Sequence, residues 1–214
     1  MSNTADIVMI FLVLTNLVLL GSSRLSACIR TVAVQGVVLG LLPLLLNGWS
    51  LELSLVIFSV AIITLKGIVF PWMLTGTLRD LKTQREVEPF IGYGISIVLG
   101  TIILLICMWL GSRLPLSGPA TSPLIVPVVF FTIMSGLFLI VSRKKALTQV
   151  LGYLVLENGI YAFGVALVDQ QPMLVELGIL LDVFVAVFVM GIAIFHINRE
   201  FDHIDTDKLS GLRS

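Results

Sequence analysis

Charged residues are scarce in this chain: they make up 12% of its 214 residues, whereas hydrophobic residues make up 57%. Soluble domains carry about 25% charged residues, so the composition excludes an ordinary soluble protein and indicates an integral membrane protein. No segment between the apolar runs exceeds about twenty residues, the length of one helical span, which leaves no room for a nucleotide-binding or redox domain. The formal net charge is zero, and nothing favours binding to nucleic acid.

Cysteine is nearly absent, since the chain has only Cys28 and Cys107, which lie far apart without a C-x-x-C spacing. Metal clusters and structural zinc sites need several thiolate or imidazole ligands at close spacing. A metal centre or another cofactor held by this chain alone is therefore not expected.

Apolar runs long enough to cross a roughly 30 Å hydrocarbon core dominate the chain. They must be helical, because no water in the lipid satisfies backbone N–H and C=O groups. The first run has no basic region before it and no A-x-A-type cleavage site after it, which is typical of a retained span. The sequence predicts an all-α membrane bundle of about seven transmembrane helices, with spans at 5–21, 27–46, 51–75, 90–111, 123–142, 147–168 and 173–196.

Basic residues predict the orientation of these spans, because cytoplasmic connections are enriched in lysine and arginine. With seven spans, eleven basic residues fall on one side and only Arg113 falls on the other. The N-terminus is expected outside and the C-terminus in the cytoplasm. The eleven are Arg24, Arg30, Arg79, Lys82, Arg85, Arg143, Lys144, Lys145, Arg199, Lys208 and Arg213.

Ionisable residues inside the apolar spans are the most informative feature of the sequence. Glu157, Asp182 and Lys66 are each expected near mid-membrane. At a rise of about 1.5 Å per residue, Glu157 and Lys66 lie about 15 Å from the cytoplasmic ends of their helices. A charge at that depth costs about 2.5–3.5 kcal/mol even on the lenient insertion scale, so such residues usually line an ion or proton path. Glu176, one turn inside the last span, is the weaker candidate of the four.

These residue types permit proton transfer. Buried groups of opposite charge couple their titrations and can accept and release protons near pH 7. The competing interpretation is a structural salt bridge, between Lys66 and either Glu157 or Asp182, that only fixes helix packing. The run Phe70-Pro71-Trp72 just below Lys66 can distort the helix and admit water. Gln35, in the middle of the second span, either extends a polar chain or bonds to one neighbour, and the second is favoured.

The order of the spans suggests a division of the chain. Residues 1–122 hold four spans, residues 123–196 form a three-helix unit, and residues 197–214 form a cytoplasmic tail. Spans one to three and five to seven both begin outside, and each set contains a Ser-Arg pair at its first cytoplasmic turn, Ser23–Arg24 and Ser142–Arg143. This pattern suggests a duplicated three-helix unit with span four as the connector.

Two motifs resemble component E of the hydrogenase-4 type membrane complexes (HyfE). They are GYLVLENG at 152–159 and VELGILLD at 175–182, and the similarity includes the region around Lys66 and Pro71. Residues 123–196 also resemble the three-helix NuoK/MrpC subunits of respiratory complex I and of multisubunit cation/proton antiporters. That smaller family carries a mid-membrane glutamate in each of its last two helices. Glu157 matches the first, and Asp182 matches the second with a shorter acid.

The resemblance implies a non-catalytic subunit, without a redox centre of its own, of a complex in the inner membrane of the cell. Its partners are then antiporter-like membrane subunits and a peripheral redox arm that carries the iron–sulfur clusters and, in some complexes, a [NiFe] site. Proton movement is then coupled to redox chemistry of hydrogen, formate or ferredoxin in that arm. A subunit of a cation/proton antiporter without a redox arm, a purely structural scaffold and a free-standing transporter remain the alternatives.

Overall fold

The structure is a computed structural model that describes residues 2–46, 53–80, 89–113 and 122–167. The described part is helical throughout and contains no β-strand, which confirms the predicted all-α class. Its elements are α1 (Ser2–Gly21), α2 (Leu25–Leu46), α3 (Leu53–Thr64), a π-helical turn (Leu65–Val69), α4 (Phe70–Asp80), α5 (Tyr93–Gly111), α6 (Ile125–Ser142) and α7 (Ala146–Leu167).

Five helical segments of the described part are long and apolar enough to cross a membrane. They are Thr4–Gly21, Leu25–Leu45, Leu55–Arg79, Tyr93–Gly111 and Ile125–Ser142, and α7 occupies the predicted sixth span. Large apolar side chains cover the outer surface, as on α5, where Ile95, Leu105 and Trp109 are exposed, and such a surface suits contact with lipid. The predicted seventh span, 173–196, lies outside the described residues, so the helix count and the orientation stay predictions.

The third span is longer than its apolar run, which ended at residue 75. The helix continues through α3, the π-helical turn and α4 to Asp80. Burial recurs every four residues along it, at Ile62, Lys66, Phe70, Leu74 and Leu78. An α-helical turn has only about 3.6 residues, so positions four apart gradually move around an α-helix. The wider π-helical turn compensates for this drift and keeps the buried residues on one face.

Pro71 explains where the widening occurs. Proline has no N–H to donate, and its ring crowds the carbonyl of the preceding turn. The helix responds just before it, where the Phe70 N–H donates to the Leu65 carbonyl, five residues back. The expected distortion is thus confirmed as a π-helical turn, the kind of irregularity that is frequent at functional sites.

The α1–α2 hairpin and the α6–α7 hairpin lie side by side, with the first helix of each pointing the same way. α1 turns into α2 and α6 turns into α7, each through three residues. Asp6 and Ser122 are hydrogen-bonded at one end of α1 and α6, and Asn16 and Thr132 are bonded midway, so these helices run parallel. α5 packs on α1 and α6, while α3 and α4 pack on α2. The arrangement agrees with a duplicated unit, whose third member in the second half is outside the described residues.

Glycines allow α6 and α7 to approach closely. A Cβ at Gly136 would fall on the backbone of Leu156, and one at Gly152 would lie 2.9 Å from the carbonyl oxygen of Gly136. A Cβ at Gly159 would lie 2.9 Å from the backbone nitrogen of Ile133. The two helices therefore pack through small residues, as is usual between membrane helices.

The core has two apolar clusters with polar residues between them. One cluster includes Leu19, Leu25, Phe70, Leu139 and Leu151, and the other includes Met9, Leu39, Ile62, Val129 and Ala162. Along each core helix, polar residues lie at the passage from one cluster to the other. We call this set the polar layer: Thr15, Asn16, Gln35, Lys66, Thr132, Glu157 and Asn158.

Candidate functional site

Lys66 and Glu157 form a buried ion pair in the middle of the polar layer. Lys66 Nζ lies 2.7 Å from Glu157 Oε1, and the two residues are only 4% and 2% exposed. The ammonium also donates to Asn158 Oδ1 at 3.1 Å and lies 5.2 Å from the ring centroid of Tyr161. A carboxylate, an amide oxygen and an aromatic face thus surround the ammonium, and all three favour a positive charge.

The backbone of α2 determines where Lys66 can lie. A Cβ at Gly36 would come within 2.5 Å of Lys66 Cβ and within 3.1 Å of its carbonyl carbon. Only glycine therefore permits this approach of α2 to the π-helical turn. On the other side of the contact, a Cβ at Gly67 would meet Val37.

Amide side chains continue the polar layer from the ion pair to α1 and α6. Asn158 Nδ2 donates to Gln35 Oε1 at 3.4 Å, and Gln35 Nε2 donates to Asn16 Oδ1 at 3.0 Å and to Thr15 Oγ1 at 2.7 Å. Asn16 Nδ2 then donates to Thr132 Oγ1 at 2.9 Å. Gln35 therefore extends a polar chain, so the favoured expectation of a single neighbour bond was wrong.

Two buried oxygens beside the ion pair have no hydrogen-bond partner within the described ranges. They are the second carboxylate oxygen of Glu157, Oε2, and the hydroxyl of Tyr161. The Tyr161 ring stacks on Phe58 at 6.2 Å between ring centroids, which fixes its position. Buried polar atoms are almost always bonded, so each exception requires an explanation. Oε2 is an acceptor position at which a proton can be received.

The site can exchange a proton between a carboxylate and an amine. Moving two charges from water into a medium of low dielectric costs several kcal/mol per ion, and the pair recovers this only with good geometry and further hydrogen bonds. The alternative state, a neutral acid beside a neutral amine, has no such desolvation cost. The hydrogen bonds and charges around the pair therefore decide which of the two states has the lower free energy.

Arg143 is a buried polar residue that the sequence analysis treated only as an orientation marker. It is 1% exposed, and it donates to the carbonyl oxygens of Leu20 at 2.7 Å and Ile91 at 3.3 Å. Its guanidinium lies 4.4 Å from the Tyr93 ring centroid. Because Leu20 is in the last turn of α1, Arg143 binds one of the carbonyls that a helix end leaves unpaired. It joins the ends of α1, α5 and α6.

The structure describes two of the four residues that were predicted to transfer protons. Lys66 and Glu157 form an ion pair, which is one of the two pairings that the competing salt-bridge interpretation named, and their role in proton transfer stays a prediction. Asp182 and Glu176 lie outside the described residues, so their proximity to the pair stays a prediction. Asn16 and Thr132 were missed, although an asparagine inside an apolar first span is itself a signal.

Comparisons with known proteins agree with this architecture. The family described as NADH-ubiquinone/plastoquinone oxidoreductase chain 4L matches residues 124–214. The chain is 31% identical to the uncharacterized protein Rv0085 of Mycobacterium tuberculosis over 203 residues, 94% of this chain and 92% of that protein. It is 28% identical to hydrogenase-4 component E of Escherichia coli over 162 residues, 75% and 74% of the two chains. No solved structure matches it.

Together, the apolar helices and these relatives show a multi-pass membrane protein. The match to Rv0085 extends over nearly the whole of both chains, so the relationship is not restricted to the C-terminal part. The chain belongs to the same family as Rv0085, it is a homologue of hydrogenase-4 component E, and its C-terminal part matches the chain 4L family.

Proposed function

We propose that this protein is a non-catalytic membrane subunit of an energy-converting, complex I-related complex of the hydrogenase type. In this proposal it supplies ionisable groups for proton translocation, while partner subunits carry out the redox chemistry. The kinship with hydrogenase-4 component E and with chain 4L supports the membership in a complex. Antiporter-like membrane subunits and an iron–sulfur redox arm are the proposed partners, in the inner membrane.

The buried Lys66–Glu157 pair is the observation that carries the proton-transfer role. A pair of this kind in the middle of an apolar bundle is costly, and intramembrane ionisable residues usually serve a function. Glu157 has an unbonded oxygen within the described ranges, so a proton can arrive there without first breaking the bond to Lys66. Asp182 and Glu176 are proposed as further carriers on the span that follows.

A substitution of Glu157 tests this role. We expect Glu157→Gln to abolish redox-driven proton translocation in membrane vesicles, because an amide of the same shape cannot ionise. Glu157→Asp keeps the ionisable group and should retain more of the activity. A proton-transfer group typically contributes about 10²–10⁴-fold, so a loss of at least about a hundredfold is expected for the glutamine variant. Full pumping by an assembled Glu157→Gln complex would contradict the proposal.

Partner identification is a separate test of membership in a complex. A tagged chain, extracted in mild detergent from its native membrane, should co-purify with antiporter-like subunits and iron–sulfur proteins that mass spectrometry can identify. Antiporter-like subunits without any redox protein would favour the cation/proton antiporter instead. A chain that leaves its native membrane without any partner subunit would refute both proposals and favour a free-standing transporter.

A structural scaffold is the second candidate, and the tight contact of Gly36 with Lys66 favours it. In that case the ion pair only fixes how α2, α7 and the π-helical turn pack. Glu157→Gln then weakens assembly without changing the ratio of protons moved to electrons transferred in the complexes that form. That ratio therefore separates the two functions.

A further inference from the structure

Two threonine hydroxyls determine the direction of the hydrogen bonds in the polar layer. Thr15 donates its single hydroxyl proton to the carbonyl oxygen of Phe11 at 2.8 Å or of Leu12 at 3.1 Å. Thr132 donates its own to the carbonyl oxygen of Val128, also at 2.8 Å. A hydroxyl has only one proton, so both oxygens can only accept from the amides that face them. We call Thr15 and Thr132 the threonine anchors.

The anchors orient each amide in turn. Asn16 must present its NH₂ group to Thr132, and its oxygen is then left for Gln35. Gln35 uses both amide protons, on Thr15 and on Asn16, so its oxygen faces Asn158. Asn158 in turn presents its own oxygen to Lys66. We call Asn16, Gln35 and Asn158 the amide chain; inverting one member would oppose two donors or two acceptors.

This order gives all three amide dipoles the same sense, with the oxygen toward Lys66. Hydrogen bonds in a chain polarise one another, and in a medium of low dielectric they act strongly on a nearby charge. Around Lys66, the described parts of α2 contribute Gly36, and α7 contributes Glu157, Asn158 and the Tyr161 ring. Glu157 and Tyr161 are the titratable groups among these. Each of these polar contacts is better satisfied by an ammonium than by an amine.

We propose that the amide chain, set in direction by the threonine anchors, is a positioning device that holds Lys66 as a permanent ammonium. Glu157 is then the member of the ion pair that gains and loses a proton, at its unbonded oxygen Oε2. The use of this device in proton translocation rests on the function proposed above. The charge state of the ion pair does not depend on that function, and it can be measured without turnover of the complex.

Infrared spectroscopy measures that charge state directly, because a protonated carboxyl has a C=O stretch that a carboxylate lacks. The spectrum of the wild-type complex in membranes at neutral pH is compared with that of the Glu157→Gln complex, and the difference isolates Glu157. We expect no protonated Glu157 in the wild type. Lys66→Met serves as the positive control, since a buried carboxylate without its cation is expected to become protonated.

The anchors are tested with Thr15→Val combined with Thr132→Val, which preserves the side-chain shapes and removes both hydroxyls. Thr132 is four hydrogen bonds from Lys66, so a purely local packing role does not predict an effect on Glu157. The spectra are recorded over a series of decreasing pH values, and we expect the ratio of protonated to ionised Glu157 at a given pH to be about tenfold higher in the double variant than in the wild type. This corresponds to about 1.4 kcal/mol and is comparable with one hydrogen bond to a charged group.

Matched variants complete the test. The corresponding pair of Thr→Ser substitutions keeps both hydroxyls and should behave as the wild type. Ser135→Ala removes a buried hydroxyl of α6 that has no hydrogen-bond partner in the described part, and it should also leave Glu157 ionised. If the valine pair does not assemble, Asn158→Leu gives the same reading, because it removes the acceptor that Lys66 uses. A wild type with protonated Glu157 at neutral pH, or anchor and Asn158 variants whose ratio of protonated to ionised Glu157 equals that of the wild type at every pH, would overturn the proposal.

Discussion

The energetic importance of the ion pair can be measured with a double-mutant cycle of Lys66→Met and Glu157→Gln. Removing Lys66 alone leaves a carboxylate in an apolar core. Breaking a buried pair in this way costs about 3–5 kcal/mol. Protonation limits the loss: neutralising a glutamate with the ordinary pKa of about 4.3 at pH 7 costs about 3.7 kcal/mol at 1.36 kcal/mol per unit. Lys66→Met should therefore lower the free energy of unfolding by about 3–4 kcal/mol.

The double variant should recover most of this loss. It contains no buried charge, and replacing a buried pair with uncharged residues of similar volume is often neutral or stabilising. We expect a coupling energy of at least about 2 kcal/mol, well above the roughly 0.3–0.5 kcal/mol within which independent sites add. Equilibrium unfolding of the purified protein in detergent micelles measures all four states of the cycle. Additive effects would refute the inference that the two charges stabilise each other.

Two further predictions follow from the packing. Gly36→Ala should lower the free energy of unfolding by about 1–3 kcal/mol, because its methyl group meets Lys66 Cβ and cannot be accommodated without backbone shifts; Gly76→Ala, with no atom within 4 Å of the added Cβ, is the matched control and should be neutral or slightly stabilising in the same assay. Arg143→Met should cost about 1.5–3 kcal/mol per lost charged hydrogen bond to Leu20 and Ile91. Thermal unfolding that leaves Gly36→Ala equal to Gly76→Ala, or Arg143→Met equal to the wild type, would contradict these expectations.

The charged residues were the part of the site that the sequence could predict. Lys66 and Glu157 are conspicuous because their neighbours along the chain are apolar, and the cost of a charge in lipid does not depend on the details of the fold. Their depth also follows from simple counting along a helix. Counting does not show which acidic residue faces Lys66, because that depends on how each helix is rotated about its axis and on which helices are adjacent.

The amide chain shows why the remainder was missed. Asn16 and Gln35 each read as an isolated polar residue in an apolar span, and a single residue does not reveal its partner on another helix. One signal is present nonetheless: each core helix has a polar residue near its middle with apolar residues on both sides. Had these positions been compared across the spans, they would have indicated a common layer. The same holds for Pro71, whose effect was expected but whose form, a π-helical turn that contains Lys66, requires coordinates.

The pattern of satisfied and unsatisfied atoms distinguishes a scaffold from a proton-transfer site. A network that serves only packing is most stable when every buried donor and acceptor is bonded. The amide chain meets that condition at Gln35, whose two amide protons and oxygen are all used. Among the seven residues of the polar layer, the unbonded buried side-chain atom is Oε2 of Glu157, and the hydroxyls of Ser135 and Tyr161 next to the layer are also unbonded within the described ranges. The unbonded atom is on the one acidic residue of that layer, next to a cation with several fixed contacts, which is where a proton must be able to arrive and leave.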